Sequence, residues 1–181
     1  MITIDHSKFD IRKLNLSDLN ETKLGNKWYF GYGNENSAYE IMTPELTAPF
    51  GIDTEKDSKK YIRCELLNHF YNPKDRNFLD ILRFHEELVK LKLKDKLNDL
   101  PFFSCLKIPD DPKLGPSVKV KLNFRFNRFE VDFFDIKGDR VISSCVKKGT
   151  NIKIKLCPKE VWVNDNYYGI LWSASQVMIT D

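Results

Sequence analysis

The side chains best equipped for chemistry in this chain are cations set between apolar neighbours. Residues 117–160 hold eleven Lys and Arg against five Asp and Glu, a net of +6, whereas residues 1–57 hold six against ten, a net of −4. The whole chain of 181 residues carries only +3, so its basic charge is concentrated in one segment. Lys119, Lys121 and Arg125 alternate with Val118, Val120, Leu122, Phe124 and Phe126, and Lys153 and Lys155 alternate with Ile152, Ile154 and Leu156. On a β-strand this alternation places cations on one face and apolar groups on the other. Arg128, Lys147 and Lys148 fall in adjoining turns. Such a face suits a polyanion. A single-stranded nucleic acid would also need flat side chains on which bases stack. The candidates are Trp28, Tyr29, Tyr32, Tyr39 and Phe134, the last because its face otherwise carries Glu130 and Asp132. Trp162 and Trp172 are expected in or near the core instead.

Signatures of catalysis are missing. No glycine loop of the G-x-x-x-x-G-K type occurs, and Gly31 and Gly33 lack the third glycine and helix of a dinucleotide site. His85-Glu86-Glu87 lacks the second histidine of a zinc-protease helix, so His85 is expected as a surface or half-buried helix residue. Cys64, Cys105, Cys145 and Cys157 are too far apart for a zinc knuckle. Cys64 and His69 could reach one ion, but nothing local completes the ligand set. No catalytic residue, metal site or cofactor is therefore expected. The opening Met1-Ile2-Thr3-Ile4-Asp5-His6 has no basic region followed by an apolar stretch, so no secretory signal is expected, and the cysteines read as reduced thiols. No run approaches the roughly 18 apolar residues of a spanning helix, so no membrane partner is expected.

Mostly β-strands must position the cations. Lys27–Gly33 and Ala38–Thr43 are aromatic and β-branched runs around the polar turn Asn34-Glu35-Asn36-Ser37, a hairpin signature. Tyr61–Leu66 reads as a third strand. From Asn77 to Leu97, Phe78, Ile81, Leu82, Leu88, Leu91 and Leu93 recur at mostly three- and four-residue spacing, which predicts a helix ending near Asp99-Leu100-Pro101. Three of the eight prolines lie in 109–116, which must be a loop. A two-residue turn at Asn127-Arg128 would pair Phe126 with Phe129 and Phe124 with Val131, setting Arg125 opposite Glu130. Val161–Val163 and Tyr167–Ile179 flank the turn Asn164-Asp165-Asn166. The fold class expected is mainly β with one long helix, an OB-fold-like small antiparallel barrel with the helix inserted between strands. Residues 1–25 form an N-terminal extension and 26–181 the nucleic-acid-binding domain, with the helical insertion at about 76–100.

Two stretches carry a family resemblance. Ile152-x-Ile-x-Leu-x-x-x-x-x-Trp162, followed by Asn164-Asp-Asn-Tyr-Tyr-Gly169-Ile-Leu-Trp172-x-x-x-Gln176-Val-x-Ile, resembles the end of the single-stranded DNA-binding proteins of nucleocytoplasmic large DNA viruses. Ile41-Met-Thr-Pro-Glu-Leu-Thr-Ala-Pro-Phe-Gly-Ile52 looks like that family's strand running into Pro-Phe-Gly. The family is similar in turn to the OB-fold single-stranded DNA-binding protein of T-odd phages. The resemblance spans roughly residues 27–179. It implies a viral, non-enzymatic protein that coats single-stranded DNA during replication, recombination or repair, in the host cytoplasm or nucleus. It also implies partners among replication proteins, and leaves a homo-oligomer open. The phage type has an acidic C-terminal tail, whereas this sequence ends Met178-Ile-Thr-Asp181, so that tail's roles are not expected here. The competing expectations are a structural or protein-interaction module and an enzyme with dispersed carboxylates. The stripe of lysines speaks against the first, and the lack of ligand-spaced Asp, Glu and His against the second.

Overall fold

A computed structural model describes residues 1–18, 20–22, 25–53, 60–66, 72–97, 100–111 and 114–181. The elements that build the site are, in chain order, β1 (Ile2–Asp5), β2 (Tyr39–Met42), β3 (Leu46–Ala48), β4 (Lys60–Glu65), α1 (Pro73–Leu93), β5 (Phe102–Phe103), β6 (Ser117–Leu122), β7 (Asp132–Phe134), β8 (Thr150–Val163) and β9 (Tyr168–Ile179). The protein is mainly β with this one α-helix among the described residues.

The frame is the long antiparallel pair β8–β9, which runs from Ile152↔Ile179 to Val163↔Tyr168. The other edge of β8 takes β2 and β3, both antiparallel. From β3 the pairing passes to β4 at Thr47↔Glu65, then to β6 over the whole ladder from Ser117↔Glu65 to Leu122↔Lys60. β6 in turn lies parallel to β9 at Lys121↔Ser173 and Leu122↔Ala174, so the pairings lead back to the β8–β9 frame. β1 adds in parallel to β2, which builds the first residues of the chain into the same sheet.

Alternation decides which way each side chain faces. Ile62 and Cys64 on β4, Val118, Val120 and Leu122 on β6, and Ile152, Ile154 and Leu156 on β8 are all buried. Their neighbours Tyr61, Arg63, Lys119, Lys121, Lys153 and Lys155 keep contact with solvent. The inward set is therefore the apolar one, as a one-sided strand requires.

The helix covers this core with Phe78, Leu82, His85, Val89 and Leu93, one stripe at three- to four-residue spacing. It begins four residues earlier than the periodicity predicts, at Pro73. Asn72 caps it by accepting a hydrogen bond from the Lys74 N–H, and proline at the first position forfeits no internal hydrogen bond. The regular helix also ends earlier, at Leu93, and continues as turns to Leu97. The expected stop at Asp99, and Pro112-Lys113 of the predicted loop, lie outside the described residues.

Two further expectations are corrected. Among the described residues the runs 27–33 and 38–43 do not pair with each other; a single bridge, Tyr32↔Ser37, closes the turn 33–36 between them. Phe30–Tyr32 pairs instead with Leu14–Leu16, and β2 pairs with β1 and β8, because each run finds longer ladders elsewhere. The second hairpin turns one residue earlier than predicted. Phe124 pairs with Phe129 and Arg125 with Arg128, leaving Phe126 and Asn127 at the tip with φ of 51° and 58°. A two-residue turn matching strand twist demands two such left-handed residues, and the turn geometry overrides the tidy apolar register. Arg125 still reaches Glu130, at 3.7 Å.

Candidate nucleic-acid interface

Lys119 and Lys121 leave β6 on the solvent side, next to Arg63 and Tyr61, their ladder partners on β4. The Lys119 ammonium lies 4.2 Å from the centre of the Tyr61 ring, a cation–π contact. Among the described residues no carboxylate pairs with Lys119 or Lys121. Beyond Lys121 the surface drops into a groove of about 390 Å³. Its walls include Tyr61, Phe103, Trp162 and Asn164, and the buried Trp172 lies beneath it. Among the described residues no acidic side chain lines it.

Two rings of the groove wall, Phe103 and Trp162, come together from distant parts of the chain and meet a third just outside the lining, Tyr167. Phe103 stands 6.2 Å from Trp162 and 5.7 Å from Tyr167, and Trp162 stands 6.1 Å from Tyr167, centre to centre. Each is fixed by its backbone. β5 lies parallel to β9 through Phe102↔Tyr168 and Phe103↔Gly169, and Ser104 next to it donates to buried Glu86 of the helix at 2.7 Å. Burial raises the Glu86 pKa, against the smaller opposing effect of that hydrogen bond. Tyr167 sits in the turn closed by the Asn164 side chain, which accepts from the N–H groups of Asn166 and Tyr167. Gly169 is required by close approach: a Cβ there would stand 2.5 Å from the Phe103 carbonyl oxygen and 3.2 Å from the Trp162 ring.

Along β4 and β6 away from the groove, a second hollow of about 230 Å³ continues the same face. Phe50, Arg63, Lys107 and Leu114 line it together with Glu65, whose carboxylate accepts from the Gly115 N–H. Gly51 brings Lys147 and Lys148 to this end: a Cβ on it, at φ +68°, would stand 2.9 Å from the Val146 carbonyl oxygen and 3.1 Å from the Lys147 backbone. A basic and aromatic path therefore runs along the outward face of β4–β6.

The remaining predicted residues divide. Arg125 and Arg128 are exposed on the hairpin that follows β6. Lys155 is tied to buried Glu40 on a different strand, at 3.6 Å, and Lys153 lines a separate polar hollow with Asp5, His6 and Asp75. Phe134 is half-buried on β7 beside Met178, and Tyr29 is exposed next to the Trp28↔Val161 bridge; neither lines the groove. Trp28, Tyr32 and Tyr39 must be corrected. They are buried, Tyr39 to 1% exposure, and present no face to a base.

Tyr39 and His85 instead form a buried polar pair. His85 is not a surface residue but fully enclosed, among Phe9, Phe30, Tyr39 and Trp172. Its Nδ1–H donates to the Ile81 carbonyl at 2.7 Å, leaving Nε2 to accept from the Tyr39 hydroxyl at 2.5 Å. Burial pushes the His85 pKa down to about 4 and the Tyr39 hydroxyl well above its ordinary value. Cys64 is likewise buried and its thiol pushed up, while His69 lies outside the described residues. Among the described residues no three His, Cys, Asp or Glu side chains gather as a metal site, and no helix is long and apolar enough to cross a membrane.

Sequence reasoning found Lys119 and Lys121 by alternation. It missed Tyr61, Phe103 and Tyr167, and expected Trp162 only as packing. Phe103 and Tyr167 are 64 positions apart and belong to no shared period, so no local signal joins them.

The class defined by this architecture is a mainly β fold with a helix inserted between β4 and β6. No protein-family profile and no curated protein sequence matches the chain. Several solved structures share its fold, two phage proteins among them. The crystal structure of gp2.5, a single-stranded DNA-binding protein encoded by bacteriophage T7, superposes with a TM-score of 0.55 at 13% identity, covering 80% of this chain and 87% of that one. The single-stranded DNA-binding protein from bacteriophage Enc34 gives 0.54 at 12% identity, covering 91% of each chain.

Proposed function

We propose that this protein binds single-stranded DNA along the outward face of β4–β6, holding the strand over Arg63, Lys119 and Lys121 with bases against Phe103, Trp162 and Tyr167. The observation that carries this is the groove itself, where Lys119 and Lys121 stand beside exposed rings and, among the described residues, no acid pairs with them or lines the wall. Phosphates need cations spaced along a track and unpaired bases need π-faces, and both are supplied here. The ring of pairings through β8, β3, β4, β6 and β9 is read as an OB-type barrel, a shape that exposes every second residue of a strand on a curved face. The fold shared with two phage proteins named as single-stranded DNA-binding supports the assignment.

Binding of this kind needs no bond-making step. Stacking and phosphate contacts stabilise the unpaired strand and so favour duplex opening without nucleotide hydrolysis. A viral protein coating DNA during replication, recombination or repair inside the host cell, working with other replication proteins, fits that activity. Fluorescence anisotropy with oligo(dT) and an equal-length duplex tests it. The expected result is a strong preference for the single strand. Equal affinity for both would reduce the face to a basic patch and favour a protein-interaction module.

A further inference from the structure

The hairpin that follows β6 is built against its own stability. Phe126 is 92% exposed at its tip and has φ +51°, a left-handed conformation that a bulky side chain adopts only at an energetic penalty. Arg125 and Arg128 are directly paired across the two short strands, where like charges repel. Glu130 at 3.7 Å offsets part of this for Arg125; among the described residues no carboxylate pairs with Arg128. The hairpin is nonetheless held firmly at its base. Phe124 packs on Phe129 at 5.0 Å and Phe129 on Phe133 at 5.5 Å, and the Lys60 ammonium lies 5.6 Å from the Phe124 ring. The turn needs a left-handed residue but not a bulky exposed ring there, and the directly paired arginines bring nothing to the folded state, yet an aromatic stem presents both.

We infer that this tip is a second base-stacking contact, in which Phe126 inserts between neighbouring bases of a DNA strand leaving the β4–β6 groove while Arg125 and Arg128 take the phosphates on either side. Both faces of the ring are open, as insertion needs, and two cations flank it, as the charged backbone on each side of an inserted ring needs. Its position fits as well. The chain leaves Leu122 and enters the hairpin at Phe124, so the tip extends the strand that carries Lys119 and Lys121. The inference rests on the groove being a DNA site, and adds to it a reach beyond the groove.

Oligo(dT) of about six and about twenty nucleotides separates the two contacts, since the shorter strand is accommodated by one such groove. Phe126→Ala should bind the short strand like the parent and the long strand about tenfold more weakly. Phe126→Trp should restore the long-strand affinity. In a Trp162→Phe background, that new tryptophan should be quenched by the long oligonucleotide and much less by the short one. Parent and Phe126→Ala binding the long strand equally would overturn the inference while leaving the groove intact. Failure of the parent to bind either oligonucleotide would overturn the groove and the tip together. A blue shift of the Phe126→Trp emission with phosphatidylserine vesicles, without quenching by DNA, would also overturn it, by making the tip a membrane contact. The side chain is almost fully exposed, so these variants should fold like the parent, which thermal melting checks.

Discussion

Under α1, the rings of Phe30, Tyr39 and Trp172 close around His85; between β5, β6 and the β8–β9 turn, the rings of Phe103, Trp162 and Tyr167 stand open beside Lys119 and Lys121. The two groups share residue types and flank the same strand β9, yet one is core and the other surface. The difference lies in what covers them and where their polar atoms go. The helix stripe covers the first, and the Tyr39 hydroxyl is spent on His85. Nothing covers the second among the described residues, and the groove beside it holds Lys119 and Lys121, with which no described carboxylate pairs. An aromatic cluster is thus a fold element or a binding element according to its lid and its charges, not its composition.

The largest effect should come from the covered cluster. Trp172 is 1% exposed, and Trp172→Ala should lower stability by about 3–5 kcal/mol through the cavity it leaves. Urea denaturation measures this. If the variant melts like the parent but fails to bind DNA, Trp172 belongs to the open group and the contrast collapses.

His85 gives the same cluster a pH signature. The folded protein holds it neutral, with a pKa pushed down to about 4, against 6.5 as the ordinary value. As pH falls through 6.5 the unfolded chain takes up a proton that the folded chain refuses. His85 should therefore withdraw about 3 kcal/mol of stability by pH 4. Glu86 acts oppositely. Its raised folded pKa stabilises below 4.5, and that contribution fades as pH rises through the folded value. Denaturation curves across pH 4–7 should show the His85 slope, steepened by Glu86→Gln and flattened by His85→Leu with Tyr39→Phe.

The open cluster should respond in binding rather than folding. Phe103 is 53% exposed, and Phe103→Ala should weaken oligo(dT) binding by about 1–3 kcal/mol, the range for loss of one base-stacking ring, with a thermal midpoint near the parent's. The smallest effect is expected from the cations. With about four to six phosphates neutralised, the parent's log–log salt slope should lie near −3 to −4, and Lys119→Ala with Lys121→Ala should make it shallower by about 1.4. Affinity should fall several-fold with folding unchanged, because both side chains leave no cavity. An unchanged slope would detach these lysines from the DNA.

These contrasts also show why the sequence was only partly legible. Strand alternation is strictly local, so β6, β8 and β9 and the outward course of Lys119 and Lys121 could be read directly. Trp28-Tyr29-Phe30 offers no alternation, so nothing local distinguished buried Trp28 from exposed Tyr29. His85 looked like a surface residue because its partner Tyr39 is 46 positions away. The open cluster depends on β5 lying parallel to β9, a pairing of two residues that no propensity foretells. The hairpin register failed because a turn's backbone handedness outweighed side-chain pattern.

The most direct test uses the chain's own tryptophans. Trp28 and Trp172 are buried, whereas Trp162 is partly exposed on the groove wall. Titration with oligo(dT) should quench the intrinsic emission, and Trp162→Phe should abolish that quenching while a phenyl ring preserves most of the affinity. Quenching that persists undiminished in Trp162→Phe, or binding that leaves the parent's emission unchanged, would place the DNA somewhere other than the β4–β6 groove.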